Sequence, residues 1–317
     1  MSVIVAAYNA EKIIAKCMDS LLRQSLPEVE IILVNDGSTD GTGAVCKEYA
    51  QKYRQVKAID KANGGCGSAR NAGAKISTGK YIGFADADDW VEPNMYEELY
   101  LRAESLDADI VMCDYFRERG QGTDLKKRID PAFLKDAVFN KDTLHCEPRK
   151  GSFFGTVVCW NKIFRRSFYE ENIHFPEEIA IAEDVPAIFK ALSRAKRICV
   201  VERKFYHYNA VGTSNSRMKN RRVLGVFKAA DMLISDMVKN DYGMFAGFVL
   251  RGVVNDAMHH FRNIASEYRR ECMECFIKLI HRLEKEGFLN YLRDKDAFKV
   301  WCFDHLGFFA SNIMARL

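Results

Sequence analysis

Nothing in this 317-residue chain approaches the roughly 18 to 20 uninterrupted apolar residues that a membrane span requires. The N-terminus also lacks a charged stretch ahead of a cleavable apolar segment, so a cytoplasmic protein is expected. The 10 cysteines lack the regular spacing of a secreted disulfide framework. Cys272 and Cys275 have the spacing of half a zinc site or a redox pair, but no second pair accompanies them and the local pattern is helical. Charge of one sign is scarce too. Lys and Arg total 47 against 43 Asp and Glu, a net +4, which is too mild to argue for nucleic acid. There is no internal repeat and no low-complexity segment. What is there is ordinary for a globular protein, 48% hydrophobic and 28% charged with a mean hydropathy of -0.22. That length allows one large domain or two smaller ones.

The first half alternates strand and helix signals. Strands are expected at 2–7, 30–34, 56–60 and 81–85, with helices at 10–24, 42–53, 68–76 and 93–103. Such alternation implies an α/β fold, a parallel sheet flanked by helices, with ligands at the carboxyl ends of the strands. Three polar clusters fall at those ends: Tyr8-Asn9, Asn35-Asp36-Gly37-Ser38 and Asp86-Ala87-Asp88-Asp89. From 116 to 140 the pattern weakens into loops, sheet-like and turn-like signals return through 153–168, and a helix is expected at 184–194. Beyond about residue 217, segments 223–238, 244–264 and 271–285 have helical spacing, the last stopped by Gly287.

The stretch YIGFADADDW, Tyr81 to Trp90, runs from a buried strand into three carboxylates within four positions. Like charges this close raise one another's pKa, so a fold that keeps them supplies a cation, a donor-rich ligand or open water. Magnesium or manganese suits such oxygen ligands and takes only one or two protein carboxylates. The plainer alternative is that Asp88-Asp89 caps the next helix. The run GGCGSARNAG, Gly64 to Gly73, has dinucleotide-loop spacing but follows the wrong strand for that fingerprint. Its glycines still allow close backbone approach, and Arg70 adds a positive fork.

SVIVAAYNAEK, ILVNDGSTDGT, NGGCGSARNAG, GKYIGFADADDW and AEDVPAIF occur in an order and spacing that resemble the family-two inverting nucleotide-sugar glycosyltransferases of bacteria. The resemblance covers about residues 1 to 215. It implies a GT-A fold, a Rossmann-like, mixed but mostly parallel sheet flanked by helices, and does not cover the C-terminal segments, whose helical spacing reads as a helical subdomain. The catalytic domain would occupy 1–216, nucleotide-sugar binding about 1–115 and acceptor binding about 116–216, and the helical region 217–317.

By that resemblance Asp36 bonds the uracil of a UDP-sugar, with Ala7, Tyr8 and Arg70 framing the base, although Asp36-Gly37-Ser38 also reads as a tight turn. Asp86-Ala87-Asp88 resembles the D-x-D motif, Asp86 near the ribose and metal-bound water, Asp88 the direct ligand of Mn2+ or Mg2+. Asp184 would be the catalytic base and Glu183 its acceptor-positioning neighbour, against a plain helix cap. FYHYNAVGTSNSR, Phe205 to Arg217, resembles a segment that closes over the diphosphate, but Asn209 stands where Arg is common. Arg217 or His207 would then supply the contact. His207 is also a candidate metal ligand, with a buried hydrogen-bonded His the plainer reading. Trp160 resembles a residue beside the acceptor groove, where it stacks on a sugar or belongs to the core.

The activity expected is transfer of a sugar from UDP to a hydroxyl of a glycan or lipid-linked acceptor in cell-surface polysaccharide assembly. A nucleotidyltransferase-like nucleotide-binding enzyme and a non-catalytic assembly subunit are the alternatives. The tail reads first as helical core. Its last segment, FKVWCFDHLGFFASNIMARL, with Lys219, Arg221 and Arg222 upstream, suits peripheral contact with the inner face of the membrane or formation of a homo-oligomer.

Overall fold

The computed structural model describes residues 1–118, 123–124, 157–210, 219–240 and 245–291. Two compact units divide the chain. The first comprises Met1–Glu178 and Ala187–Gly212, the second Ile179–Pro186 and Thr213–Leu317.

The first unit is a mixed sheet with helices packed on it. In chain order its elements are β1 (Ser2–Ala7), α1 (Ile14–Leu22), β2 (Glu30–Asp36), α2 (Thr42–Lys52), β3 (Val56–Lys61), α3 (Gly65–Ile76), β4 (Tyr81–Asp86), β5 (Trp90–Val91), α4 (Met95–Leu106), β6 (Ile110–Glu118), β7 (Thr123–Asp124), β8 (Lys162–Arg165), α5 (Arg166–Asn172) and β9 (Ile198–Asn209). Helix α6 (Asp184–Arg194) begins in the residues assigned to the second unit. The strand order is β3-β2-β1-β4-β8-β6-β9-β5, with β7 pairing β6. Strands β1 to β4 run parallel, β8 is antiparallel to both β4 and β6, and β9 returns parallel to β6. The chain steps from β1 to β2 to β3 and then crosses back to lay β4 on the other side of β1. That reversal is the switch point at which open sheets of this kind leave a crevice.

Why these residues form these elements is plain along β1 and β2. Val3, Ile4, Val5, Ile31, Ile32, Leu33 and Val34 have no exposed surface, so both faces are covered, as a parallel sheet with near-continuous apolar strands requires. Helix α3 packs on β1 and β2 at Gly73, where an added Cβ would stand 2.5 Å from Ile4 Cγ2 and 3.1 Å from Val34 Cγ2. Helix α1 starts at Ile14 rather than residue 10, because Ala10 N–H is drawn to Thr42 Oγ1 at 2.7 Å and the chain first makes a turn. Strand β2 runs two residues beyond its expected end, so Asn35 and Asp36 are strand residues paired with Asp60 and Lys61. The expected loops at 125–140 lie outside the described residues.

In the second unit α7 (Gly225–Lys239), α8 (Phe245–Asn263) and α9 (Arg269–Lys285) pack together. Phe227 of α7 meets Phe276 of α9 edge-on. Segment 179–186 belongs here: a Cβ on Gly225 would lie 3.3 Å from the Ile181 carbonyl oxygen. Among the described residues no helix is long and apolar enough to cross a membrane. The aromatic-rich segment 298–317 lies outside them.

Candidate active site at the switch point

The ends of β1, β2 and β4 come together, and the loops after β1 and β2 are stitched to each other. Asn9, at φ 49°, donates its N–H to Ser38 Oγ at 3.0 Å, and its Oδ1 accepts Thr39 N–H at 2.9 Å. Asn9 thus tolerates the left-handed conformation and gains local bonds there. Ala7 is buried, and Tyr8 stands 49% exposed, an open aromatic face at the mouth of the crevice.

Asp36 is 3% exposed, yet its carboxylate is well supplied with donors. Lys61 Nζ and Gly64 N–H reach Oδ1 at 2.7 and 3.0 Å, and Gly65 N–H reaches Oδ2 at 2.8 Å. The glycine that follows Asp36 permits this: Gly37 sits at φ 66°, and a Cβ there would come 2.6 Å from Asn63 N. The glycines at 64 and 65 therefore serve the acid beside them, by the close backbone approach their sequence suggested.

The acidic turn after β4 divides its three carboxylates by environment. Arg70, 4% exposed on α3, donates to Asp86 Oδ1 at 2.9 Å, and its guanidinium lies 5.3 Å from the Phe175 ring centroid. Asp89 is 1% exposed and accepts Tyr206 O–H at 2.7 Å and Asn209 N–H at 2.7 Å. Burial first, then Asp86 and Asp88, hold the Asp89 carboxyl well above its usual range. Asp88 is different. No cation among the described residues pairs with it, and burial, followed by the charge of Asp86, pushes its carboxyl up to about 6. A partly buried carboxylate that faces no cation among the described residues has the chemistry to take one from outside the protein. Among the described residues no three or more His, Cys, Asp or Glu side chains are grouped as a metal cage. The fit is therefore to a hard ion taking one or two carboxylates and filling its shell with water and phosphate oxygens, as magnesium does.

Two expected contacts are corrected. His207 was a candidate metal ligand, but Nε2 lies 2.7 Å from Glu92 Oε1 and Nδ1 2.8 Å from Glu118 Oε1. Its ring is stacked between Trp90 and Phe116, at centroid distances of 5.0 and 4.5 Å. With both nitrogens at hydrogen-bond distance from carboxylates, the imidazole is engaged on both sides and joins β9 to β6 and to the residue after β5. Trp160 was a candidate acceptor platform, but it is 2% exposed and stacked on Tyr206 at 4.2 Å, so its face is closed to a sugar. The stretch it opens is a buried polar clip. Asn161 Nδ2 donates to Cys113 O at 2.8 Å, and Lys162 Nζ donates to Val158 O and Asn161 Oδ1 at 2.7 Å each.

Glu183 is 9% exposed and Asp184 opens α6, directly after Ala182 at φ 67°. Asn209 ends β9, while Arg217 lies outside the described residues. The sequence reading missed Lys61 and Tyr206. Lys61 ends a strand opposite Asp36, a register that was one residue beyond the expected β3. Tyr206 falls in the segment 205–217 that resembles one closing over the diphosphate, and residues 205–209 of it are the end of a 12-residue strand. Cys272 is buried and its thiol is pushed up to about 12, chiefly by burial, which fits packing in α9.

A doubly wound half-sheet with its crevice at the β1/β4 reversal, joined to an antiparallel-containing half, is the GT-A architecture. Residues 2–173 match the model of Glycosyl transferase family 2, and the chain belongs to that family. It is 37% identical over 211 residues to the uncharacterized glycosyltransferase EpsJ of Bacillus subtilis, a match covering 66% of this chain and 60% of that protein. It is 32% identical over 215 residues to the poly(ribitol-phosphate) beta-glucosyltransferase of Bacillus spizizenii, covering 66% of this chain and 32% of that one. The chain thus spans about 60% of the length of the first of these relatives. In structure it is similar to Staphylococcus aureus TarS 1-349 in complex with UDP-GlcNAc, at a TM-score of 0.78 and 21% identity, covering 99% of this chain and 88% of that one.

Proposed function

We propose that the protein is a metal-dependent, inverting glycosyltransferase that moves a sugar from a UDP-sugar to a hydroxyl of a glycan or lipid-linked acceptor in cell-surface polysaccharide assembly. The observation that carries this reading is Asp88, a partly buried carboxylate at the switch-point crevice that no cation among the described residues pairs with, beside Asp86 already matched by Arg70. The family, the poly(ribitol-phosphate) relative and the UDP-GlcNAc complex of the similar TarS support the reaction class and the donor. The reaction belongs in the cytoplasm, where a lipid-linked acceptor is met at the inner face of the membrane.

In this reading Asp36 accepts the imide N–H of uracil, Tyr8 stacks on the base beside Ala7, and Asp86 faces the ribose. Asp88, with Asp86, would hold Mn2+ or Mg2+, which when bound supplies Lewis-acid stabilisation of a diphosphate leaving group. Asp184 takes the proton from the acceptor hydroxyl as that oxygen bonds the anomeric carbon from the face opposite the diphosphate, and Glu183 orients the acceptor. The C–O bond to diphosphate breaks and the anomeric configuration inverts. The domain assignment follows: 1–216 catalytic, 217–317 a helical region.

The test is UDP release from a panel of UDP-sugars in manganese, magnesium or EDTA, with binding followed in parallel because hydrolysis without acceptor is slow. Metal-dependent release from one sugar, reduced more than about 100-fold in Asp88→Asn, is expected. If no UDP-sugar binds with metal present, the nucleotide assignment is wrong and the nucleotidyltransferase-like or non-catalytic readings take its place.

A further inference from the structure

We infer that Tyr206 is a positioning residue that shapes the acidic turn for its metal before the metal arrives, an inference that rests on the proposed role of Asp88. The phenol is wholly buried and sits at the junction of three elements. Its oxygen accepts the Asp86 N–H at 3.0 Å, and its O–H donates to Asp89 Oδ2 at 2.7 Å. The turn closes on itself through Asp89 N–H to the Asp86 carbonyl at 3.1 Å, and Asp89 Oδ1 is held by Asn209 N–H. One hydroxyl therefore fixes the first residue of the turn by its backbone and the fourth by its side chain.

The ring has little room to move. Tyr206 lies opposite Val91 on β5 and Tyr115 on β6. Trp160 stacks on it at 4.2 Å with the planes 19° apart, and Trp160 is itself met edge-on by Tyr115 at 4.9 Å. A rotamer locked by packing gives a hydroxyl a fixed address, which is what support of a binding residue demands.

The consequence concerns how the three carboxylates share work. Asp89 is drawn inward and spent on the latch, and the Asp86 side chain meets Arg70, so among the described residues Asp88 is the acid of the turn whose carboxylate meets neither a cation nor a donor side chain. Without the phenol, the backbone at Asp86 and the side chain at Asp89 are each short of a partner, and the turn has fewer constraints on where Asp88 points. Metal affinity then falls because the protein must order the turn when it binds, a cost the latch removes in advance.

The experiment is a Mn2+ titration followed by calorimetry and by electron paramagnetic resonance of free Mn2+, on wild type, Asp88→Asn and Tyr206→Phe. UDP binding in EDTA and thermal midpoints are recorded alongside. Tyr206→Phe keeps the stacked ring and removes the hydroxyl alone. The expected result is loss of Mn2+ binding in Asp88→Asn and about a 10-fold weaker Mn2+ affinity in Tyr206→Phe, with UDP binding in EDTA within about twofold of wild type. A folded Tyr206→Phe with unchanged Mn2+ affinity overturns the inference whatever its thermal midpoint, while loss in Asp88→Asn still upholds the metal reading. Unchanged binding in Asp88→Asn overturns both. Should Tyr206→Phe fail to fold, hydrogen exchange of wild-type peptides covering 84–91 decides: protection already present without metal supports the latch, and protection gained only on adding Mn2+ refutes it.

Discussion

Asp36 is nearly saturated with donors, which in the proposed function readies its carboxylate for a ligand. Lys61, Gly64 and Gly65 fix both oxygens, and the carboxylate keeps further lone pairs for an incoming N–H. Asp36→Ala strands a lysine and two backbone N–H groups, so it is expected to cost about 2 kcal/mol in urea denaturation and to weaken UDP binding about 10-fold. His207 makes the opposite prediction. Because both nitrogens face Glu92 and Glu118, His207→Gln is expected to lower the thermal midpoint and to leave Mn2+ affinity within about twofold of wild type. A larger loss of Mn2+ would return His207 to the metal. At this scale the acids were legible, since Asp36, Asp86 and Asp88 lie in short motifs at strand ends. For His207 and Trp160 burial was one of two readings, and the sequence alone did not decide between them. Whether an aromatic residue faces a ligand or another ring depends on which residues stand opposite it, and Trp90 and Phe116 reach His207 only through pairing of strands far apart in sequence.

Among the elements, Glu30 at the start of β2 knots four strands. It accepts from Ser2 of β1 and Lys57 of β3, and it takes the Thr78 N–H and hydroxyl, at 2.9 and 3.0 Å, from the turn before β4. Burial alone would raise this carboxyl. The bonds from Lys57, Ser2 and Thr78 outweigh it and hold it down at about 2, against an ordinary 4.5. A lowered native value means that the native state prefers the ionised form, so the stabilisation is present above pH 4.5 and drains away as pH falls toward 2. Glu30→Gln is therefore expected to lose about 2 kcal/mol at pH 7, and the gap to wild type is expected to narrow steadily below pH 4.5 in urea titrations. Gly73→Ala tests the α3 contact, where a methyl against Ile4 is expected to cost about 1 to 3 kcal/mol. Most elements of residues 1–106, the two-residue β5 aside, were legible because strands such as β1, β2 and β4 are apolar runs and the helices between them are helically spaced within their own short windows. Strands β6 and β9 were not: β9 carries Glu202, Arg203 and Lys204 in its middle, and its partners, Ile110 opposite Ile198 and Trp90 opposite His207 among them, come from far earlier in the chain.

For the whole molecule, the second unit takes in eight residues, 179–186, that include Glu183 and Asp184. Their packing against the C-terminal helices means that the chain cut after residue 216 keeps the strand ends holding Asp36 and Asp88 but loses the support of the acid pair. Such a fragment is expected to bind UDP and to lose transfer by about 10-fold or more, measured by calorimetry and by product formation. The sequence reading placed the helical region from 217 onward and had no means of seeing the eight residues join it, since that contact leaves no local pattern.

The antiparallel insertion of β8 between β4 and β6 bears on how the protein is born. When residues 1–86 have left the ribosome, β1 to β4 can pair among themselves, but the far edge of β4 waits for Lys162–Arg165. An open apolar edge of that kind is a hazard for the nascent chain. The acidic turn waits longer still, since the residues that fasten Asp86 and Asp89 arrive 117 to 120 positions later. The emerging polypeptide can thus assemble its first four strands early, and gains a finished acidic turn only after the last strand of the sheet has been made.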